Sequence, residues 1–403
     1  MHARNHWLPV ALAALTAIGP FSIDTYLPAF QAMGSELDAT QNEIQQTLTA
    51  YMASFAVMVL WHGALSDRFG RRPVLIGTTL LYALASVICA LAPSIGWLWA
   101  GRVMQGVCAG AGMVVGRAMI RDLYDGAQAQ RLMAQVMLIF GIAPAIAPLA
   151  GGALLELCGW RSIFVFLCAL GIGLTWLCWR TLPETLPPEA RQPFVPAALA
   201  RAYREVLTHR DFMLLSLGIS VIFNGYFLYV VSAPVFIREH LGLGSHGFAA
   251  LFLPAVSCMM LGSFVSARLA GRWSAWRTIR AGLIIMAFAS LVEIVLTLLP
   301  LPRMFILAPI SLYNFGVAMI MPSLTLISLD LFPARRGLAS SCQGFVQVGA
   351  NALTTGILAP LLWGTPLILA LGAGACYLLA LLFFYLWSCQ AATVHSFSGT
   401  RDD

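Results

Sequence analysis

The sequence predicts an all-α membrane protein of twelve transmembrane helices, arranged as two pseudo-symmetric bundles of six. Three observations support this fold class. Of the 403 residues, 60% are hydrophobic and only 10% are charged, whereas about a quarter are charged in an ordinary soluble domain. Twelve apolar segments each approach the roughly 20 residues that a membrane helix needs. The longest polar connection lies midway along the chain and separates six segments from six.

The twelve apolar segments follow one another with short connections. We interpret the first as an uncleaved span, because its apolar run is too long for a signal peptide and no small-residue cleavage site follows it. The predicted spans are 8–30, 45–66, 73–92, 97–118, 132–155, 161–180, 212–235, 248–269, 278–299, 304–329, 338–362 and 366–388.

Arginine is unevenly distributed between the two sides that this topology creates. All 23 basic residues are arginines, and 19 of them lie at the termini or in the loops after spans 2, 4, 6, 8 and 10. We call this side the arginine-rich side. The opposite, arginine-poor side carries Arg161, Arg238 and Arg303, while Arg102 lies within a span. The positive-inside rule therefore predicts that both termini are cytoplasmic.

The basic clusters alternate with apolar runs and form no continuous basic face, despite the net charge of +6. This pattern favours membrane lipid as the surrounding partner and argues against nucleic acid. We expect the domain organisation to be an N-terminal bundle, a cytoplasmic linker, a C-terminal bundle and a cytoplasmic tail, at residues 1–181, 182–211, 212–390 and 391–403.

The linker and an internal echo bear on this division. Prolines oppose one continuous helix through the first part of the linker. Residues 197–207 form either an interfacial helix or a solvated linker. "GALSDRFGRR" at 63–72 is echoed by "SFVSARLAGR" at 263–272, where Ala267 replaces the acid. Because both stretches follow the second span of a half, the echo favours duplication, which is typical of secondary transporters.

Five motifs carry a resemblance to a known family. "GALSDRFGRR" (63–72) is similar to the signature of the major facilitator superfamily between spans 2 and 3. "RVMQGVCAGAG" (102–112) resembles its span-4 motif, and "GIAPAIAPLAGG" (141–152) resembles the span-5 motif of its antiporters. "DTYLP" (24–28) and "LPET" (182–185) look like the Bcr/CflA branch of drug exporters.

The resemblance implies proton-coupled efflux of small, largely apolar drugs across the bacterial inner membrane by alternating access. Such multidrug efflux confers antibiotic resistance. One alternative keeps the fold and changes the cargo, as a proton-coupled metabolite exporter or importer. The remote alternative is a polytopic membrane enzyme or receptor, for which the chain shows neither a catalytic constellation nor a sensor domain. We expect a monomer that is not an enzyme and has drug molecules and protons as partners.

No cofactor or metal is expected. The sequence has no GxxxxGK[ST] phosphate-binding loop, so the proton gradient and not ATP is the expected driving force.

Three charged residues fall within predicted spans: Asp24, Arg102 and Glu293. Intramembrane charges are costly and usually mark ion or proton pathways. At 1.5 Å per residue, Asp24 and Arg102 lie about 9 and 8 Å below the arginine-poor ends of their spans. We expect these two to form the proton-coupling site, since an arginine nearby would hold the carboxylate ionised in one state and release it in another. A structural cap or ion pair is the alternative for Asp24, and the role of Glu293 stays open.

The loop at 63–72 and the fifth span carry the remaining motifs. The resemblance implies that the loop is a latch for the outward-facing state, formed by Gly63, Asp67, Arg68, Gly70, Arg71 and Arg72. A topology signal is the alternative. Gly63 would permit close helix approach and Gly70 a tight turn.

The fifth span, which we call the antiporter-motif helix, carries glycines and prolines on one face. Small residues allow another helix to approach closely and prolines favour bends, which suits either a rocking interface or tight static packing. Its residues are Gly141, Pro144, Pro148, Gly151 and Gly152.

Polar and tyrosine side chains within the spans are the candidates for a substrate cavity. Amides that faced lipid would be unsatisfied and costly, so they should face the interior. Whether they bind substrate or join helices is open, and three of the tyrosines could stack on a flat or cationic ligand. The candidates are Tyr26, Tyr51, Gln105, Asn224, Tyr226, Tyr229, Asn314, Gln343, Gln347 and Asn351.

Overall fold

A computed structural model describes residues 7–124, 126–191, 195–244 and 247–398. These residues are predominantly helical and include no β-strand. Twelve of their helical stretches are long and apolar enough to cross a membrane. The predicted fold class of a twelve-span helical membrane protein is therefore confirmed.

The first half of the chain contributes seven helices to six spans. The first span, predicted over 8–30, is present at Val10–Glu36, but it is not one continuous helix. The helix ends at Asp24, two bent residues follow, and a 3₁₀ turn at Leu27–Ala29 leads into a second short helix. Pro28 accounts for the break, because it lacks a backbone N–H and disfavours the α-helical conformation in the residue before it. The helices are α1 (Trp7–Asp24), α2 (Phe30–Glu36), α3 (Gln41–Phe69), α4 (Arg71–Ala90), α5 (Ile95–Leu123), α6 (Gly126–Cys158) and α7 (Arg161–Thr181).

The second half has a linker helix and six further spans. Two π-helical turns interrupt it, at Phe236–His240 after the seventh span and at Thr354–Leu358 inside the eleventh. Its last helix continues into the segment expected to be a tail, and residues 399–403 of that segment lie outside the described residues, as do 1–6 and 192–194. The helices are α8 (Pro196–Leu207), α9 (Arg210–Val235), α10 (Gly247–Leu269), α11 (Ala275–Leu298), α12 (Leu307–Asp330), α13 (Arg336–Leu353), α14 (Ala359–Leu362) and α15 (Pro366–Ser398).

Most helix packing occurs within each half. In the first half α3 packs on α5, α4 on α7 and α1 on α6, while in the second half α10 packs on α12 and α9 on α15. The halves meet along two main seams, α3 against α13 and α6 against α10. The broken first span also touches α9 through its 3₁₀ turn. The first spans of the two halves therefore meet at the break.

The linker helix α8 docks on protein. Its Tyr203 and Val206 are buried in a small apolar cluster with Ala339 and Cys342 of α13. The solvated-linker alternative for residues 197–207 is therefore wrong, because an apolar face of the helix finds a partner in the second half.

The same helix also reaches the first half. The hydroxyl of Tyr203 donates a hydrogen bond to the carbonyl oxygen of Leu60 on α3. Burial raises the pKa of the Tyr203 phenol, so it remains a hydrogen-bond donor. An exposed ion pair between Glu205 and Arg335, at 2.8 Å, ties α8 to the second half. The linker helix thus bridges the halves on the arginine-rich side.

Candidate functional site

The break in the first span places Asp24 inside the protein. Asp24 is the last residue of α1 and only 4% exposed. The neighbouring helix α6 presses against the break at Gly151, where a Cβ atom would lie 1.7 Å from the carbonyl oxygen of Thr25. Only glycine permits this approach. The antiporter-motif helix, α6, therefore packs in close contact with the break that follows Asp24.

Arg102 lies in α5 and is fully buried. Its guanidinium is held between two aromatic rings, 4.3 Å from the ring centre of Tyr26 and 4.4 Å from that of Tyr51. It donates a 2.7 Å hydrogen bond to Oε1 of Gln105, whose amide donates in turn to Ser86 at 2.8 Å. Cation–π contacts of a desolvated arginine can reach about 2 kcal/mol each. Two phenol rings and one amide therefore hold this guanidinium.

The expected pair between Asp24 and Arg102 is absent in this conformation. Among the described residues, no arginine or histidine nitrogen lies within 4.0 Å of the Asp24 carboxyl. Arg102 keeps Nε and Nη2 buried without a hydrogen-bond partner in the described part of the chain. The physical reason is the aromatic clamp, which holds the guanidinium toward Tyr26 and Tyr51. The role of the two residues in proton coupling stays a prediction.

Asp24 and Arg102 nevertheless share one neighbourhood. Tyr26, which contacts Arg102, follows Asp24 by two residues and also hydrogen-bonds to Thr47 at 3.1 Å. The Asp24 carboxyl interacts electrostatically with Tyr51, the second ring of the clamp, and with Tyr226 of α9. A buried carboxyl and a buried, incompletely bonded guanidinium thus lie around the same tyrosines.

The second half buries its own carboxyl. Glu293 of α11 is 1% exposed and accepts a hydrogen bond from the hydroxyl of Tyr229 on α9. The Tyr229 ring packs edge-on against Phe236, with ring centres 5.2 Å apart. Phe236 belongs to the π-helical turn at the arginine-poor end of the seventh span.

Most of the polar cavity candidates in the second half join helices. Asn224 of α9 donates to Asn351 of α13 at 3.1 Å. Asn314 of α12 donates to the carbonyl oxygen of Ala255 on α10 at 2.9 Å. These bonds favour the interhelical alternative. Gln343 likewise reaches Thr325 of α12 at 3.4 Å.

The remaining candidates divide between the two halves. Tyr26, Tyr51 and Gln105 surround Arg102, as described above. Tyr226 is 6% exposed and lies near Asp24, whereas Gln347 is half-buried. The ten candidates therefore occupy several small polar clusters, and their common cavity stays a prediction.

A large cavity lies elsewhere, between the halves on the arginine-poor side. Its volume is about 720 Å³. None of the ten candidates lines it, because they lie deeper along their helices. The first half contributes Phe30, Gln31, Ser35 and Gln41 to its wall, and the second half contributes Pro234, Ile237, Arg238, Glu239 and Phe248.

Two glutamines below this cavity join the halves, and sequence reasoning missed them. Gln45 Nε2 donates to the carbonyl oxygen of Thr355 at 3.2 Å, and Gln46 Nε2 donates to that of Gly356 at 3.0 Å. Both acceptors belong to the π-helical turn in the eleventh span, where carbonyls depart from regular α-helical bonding. We call this set the glutamine contact. A Cβ at Gly356 would lie 2.7 Å from Thr49, so the seam is tight.

On the arginine-rich side, the loop at 63–72 is an ionic network centred on Arg71. Its guanidinium bonds to Asp67 at 2.5 Å, to Ser66 at 2.6 Å and to Asp122 of α5 at 3.2 Å. Its backbone N–H donates to Glu184 at 3.0 Å, which places a carboxylate at the N-terminus of α4. Asp122 and Glu184 were not among the predicted site residues. Glu184 could have been found, since it lies in the "LPET" motif.

The other loop residues vary in their contacts. Gly70 has φ of +100°, and a Cβ there would lie 2.4 Å from Glu184, so the predicted tight turn requires glycine. Gly63 differs from expectation: a Cβ would lie 3.8 Å from Val114, an ordinary contact, because the helices are not especially close there. Arg72 donates to the carbonyl oxygen of Trp179 at 2.6 Å, and Arg68 is exposed. The latch role of this loop stays a prediction.

The small residues of α6 do not share one partner. A Cβ at Gly141 would lie 3.5 Å from Met259 of α10, across the seam between the halves. Gly151 faces the broken first span instead. Pro148 and Gly152 are buried and Pro144 is half-buried. The helix therefore contacts both a partner in its own half and one in the other half.

Comparisons with known proteins agree with this architecture. The Major Facilitator Superfamily model matches residues 12–355. The chain is 32% identical to the uncharacterized MFS-type transporter YdgK of Bacillus subtilis, over 85% of each chain. It is 26% identical to the bicyclomycin resistance protein homolog of Haemophilus influenzae, over 93% of this chain and 94% of the relative. It is 28% identical to Multidrug resistance protein D of Escherichia coli, over 87% and 88%.

A solved structure shares the fold. The bacterial homolog of the human lysosomal transporter Spinster, in an inward-facing and occupied conformation, superposes with a TM-score of 0.72. The match covers 96% of this chain and 97% of that one at 19% identity, so it bears on the fold alone.

Proposed function

The chain belongs to the Major Facilitator Superfamily, and we propose that it exports small, largely apolar drugs across the bacterial inner membrane in exchange for protons. Two relatives, a bicyclomycin resistance protein homolog and a multidrug resistance protein, support the cargo class by their names. The family consists of transporters, which supports a role in transport and not in catalysis. The excess of arginine on one side supports cytoplasmic termini.

One observation carries the proton-coupling part of this proposal. Within the described part of the chain, Asp24 is buried at a helix break with no cation paired to it, and a buried guanidinium with two unbonded nitrogens lies in the same tyrosine cluster. A buried carboxylate without a counter-charge is costly, so Asp24 is neutral when unpaired and ionised when paired. A conformational change that brings Asp24 and Arg102 together would therefore release a proton.

The transport cycle follows from this exchange of partners. Asp24 takes up a proton from the arginine-poor side as the drug leaves through the cavity there. The halves then rock about the seams formed by α3 with α13 and α6 with α10. Pairing with Arg102 releases the proton on the cytoplasmic side. Each 100 mV of membrane potential supplies about 2.3 kcal/mol per charge moved, which suffices for modest drug gradients.

We further propose that the protein works as a monomer without ATP or another cofactor. The absence of a phosphate-binding loop from the sequence supports transport without ATP. The loop at 63–72 acts as the latch of the outward-facing state, with the Arg71 network as its physical basis.

The test is a susceptibility panel in a host that lacks its own drug exporters, comparing the native chain with Asp24→Asn. Asparagine keeps the size of the side chain and removes its titration. We expect the native chain to raise resistance to several apolar drugs and Asp24→Asn to reduce that resistance to the level of empty vector, with equal amounts of protein in the membrane. Unchanged resistance in the variant would remove Asp24 from the mechanism.

Proteoliposomes separate the cargo classes. Purified protein with an imposed pH gradient should accumulate an apolar drug identified by the panel. No resistance in the panel, together with proton-driven movement of a metabolite, would favour a metabolite transporter of the same fold.

A further inference from the structure

Glu293 is the second intramembrane carboxyl, and the cycle proposed above does not use it. Its side chain is 1% exposed, inside the bundle of the second half. Its Oε1 accepts the hydrogen bond from Tyr229, and among the described residues no arginine or histidine nitrogen lies within 4.0 Å of it. The carboxyl is therefore buried beside a neutral donor.

The titratable side chains that interact with Glu293 are neutral at ordinary pH. Tyr229 faces it from α9 and Tyr313 from α12, and Tyr313 in turn interacts with Cys376 and Tyr377 of α15. Besides α12 and α15, the 3₁₀ turn at Arg303–Ile306 packs against α11, and the guanidinium of its Arg303 donates to the carbonyl oxygen of His240 at 3.0 Å and forms no ion pair with Glu293. A negative charge on Glu293 would have no opposite charge to compensate it, and the cost of such a charge is several kcal/mol. The resting form of this side chain is therefore the protonated acid.

Glu293 is connected to the same helix that Asp24 approaches. Tyr226 and Tyr229 lie three residues apart on α9, one turn of one face. Tyr226 interacts electrostatically with Asp24, and Tyr229 bonds to Glu293. The 3₁₀ turn that follows the Asp24 break contacts α9 as well. A single helix therefore lies between the two buried carboxyls, one from each half.

The arginine-poor end of this helix lines the cavity between the halves. Phe236 packs on the Tyr229 ring, and Pro234 and Ile237 on either side of it line the cavity wall. A change in the Tyr229–Glu293 bond would consequently shift the wall through which the cargo leaves. This geometry separates Glu293 from an ordinary structural acceptor.

We propose that Glu293 is a second proton-carrying group, in the second half of the protein, whose release of a proton repositions Tyr229 and the cavity wall. The inference rests on the proton-coupled function proposed above. The O–H bond of the Glu293 carboxyl forms with a proton from water on the arginine-poor side. It breaks when that proton passes to water on the arginine-rich side, after the halves have rocked. Transport then moves one proton more than Asp24 alone would carry.

Glu293→Gln provides the test, because a glutamine oxygen still accepts the Tyr229 hydrogen bond while the side chain no longer titrates. The first measurement is infrared titration of the purified full chain in detergent, which follows the carbonyl stretch of protonated carboxylic acids as the pH rises. We expect two buried-acid bands to disappear in the native chain. Glu293→Gln should lack one of these bands and Asp24→Asn the other.

The second measurement is the coupling ratio in proteoliposomes, from the membrane potential that stops net flux of tetraphenylphosphonium at a fixed pH gradient. We expect Glu293→Gln to keep transport and lower the proton count per cargo molecule by about one. Glu293→Ala should show the same loss, with lower thermal stability because Tyr229 then loses its acceptor.

Four results would overturn the proposal. One is a Glu293 band that persists through the whole pH range in which the protein is folded. Another is a Glu293→Gln chain with the native coupling ratio, which would make Glu293 a hydrogen-bond acceptor only. A third result is that neither Glu293→Gln nor Asp24→Asn changes the infrared bands or the coupling ratio, which would also contradict the proposed proton coupling. A loss confined to Asp24→Asn would refute the role of Glu293 while preserving the proposed function.

Discussion

The first spans of the two halves differ in whether they are broken and in which polar side chain they bury. The first span of the chain breaks at Asp24, whereas α9, which opens the second half, continues as an α-helix from Arg210 to Val235. In the first half, the buried carboxyl is that of Asp24, which lies on the broken span itself. In the second half, the unbroken α9 contributes Tyr229, which donates a hydrogen bond to the buried carboxyl of Glu293 on α11. Among the described residues, each half thus buries one acid, and in the first half the buried guanidinium of Arg102 shares tyrosine neighbours with that acid.

The loops after the second span of each half diverge in the same way. The first-half loop centres on Arg71, which binds two aspartates and a serine. The echoing stretch has Gly271 where Arg71 stands and Ala267 where Asp67 stands. Arg268 there contacts only the Phe264 ring, at 5.0 Å, among the described residues. The first half therefore carries both the charged coupling site and the charged loop.

Of the substitutions predicted here, Gly151→Ala should have the strongest consequence, and it tests whether the break in the first span depends on close packing of α6. Gly151→Ala would place a Cβ 1.7 Å from the Thr25 carbonyl oxygen. Overpacking against backbone should destabilise the protein by about 3 kcal/mol, seen as a lower thermal unfolding midpoint in detergent and as lost resistance. Gly141→Ala is the control, because its Cβ would make an ordinary contact with Met259 at 3.5 Å. Native stability in Gly151→Ala would show that the break can relax.

The next effect concerns the guanidinium that distinguishes the first half. Arg102→Lys keeps the charge and loses the planar group held between two rings. An ammonium cannot lie flat between the two rings, and losing about 2 kcal/mol of this two-sided contact should reduce drug transport roughly thirtyfold at equal expression. Arg161→Lys is the matched control, since its guanidinium also lies over a ring, Trp160 at 4.3 Å, but is 38% exposed. Equal effects of the two substitutions would contradict a special role for the clamp.

A smaller effect compares the two loops directly. Arg71→Ala removes charge-assisted bonds to partly exposed partners and should cost about 1.5 kcal/mol. Arg272→Ala, at the corresponding loop of the second half, removes an exposed side chain and should stay within about 0.5 kcal/mol. The measurement is thermal unfolding of both purified variants. Comparable losses would mean that the second-half loop retains a network of its own.

The weakest predicted effect comes from a substitution in the seam between the halves. Gln46→Leu removes one bond of the glutamine contact, worth about 1 kcal/mol, and should shift the population about fivefold toward a state open on the arginine-poor side. Spin labels at Ser35 and Arg238, on opposite cavity walls, would report this as a longer distance in pulsed electron resonance on a chain without native cysteines. Gln31→Leu, at an exposed wall residue, is the control. A distance distribution unchanged by Gln46→Leu would argue against a gating seam.

Sequence reasoning predicted the elements that depend on local pattern. The twelve spans follow from apolar length, and the burial of Asp24, Arg102 and Glu293 follows from their place within those spans. Gly70 was recognised because a tight turn is a local requirement. Pro28 was visible, and it could have predicted the break in the first span, yet the apolar run around it favoured one helix.

The rest depends on contacts between residues far apart in sequence. The acceptors of Gln45 and Gln46 exist only because the eleventh span contains a π-helical turn, and no local residue pattern marks that turn. The partner of Glu293 lies 64 residues away on α9. The tyrosine clamp on Arg102 joins the break in the first span to α3 and α5, so its geometry follows from packing. These are the features that decide which charges are paired.

Tyr203 limits how the two halves separate. Its ring is anchored in the second half, while its hydroxyl holds a carbonyl oxygen of α3. Any widening between the halves on the arginine-rich side must break that bond, after which α8 travels with the second half. The linker helix therefore holds the two halves together as well as connecting them, and the hydroxyl of Tyr203 is the group whose bond must break for them to separate.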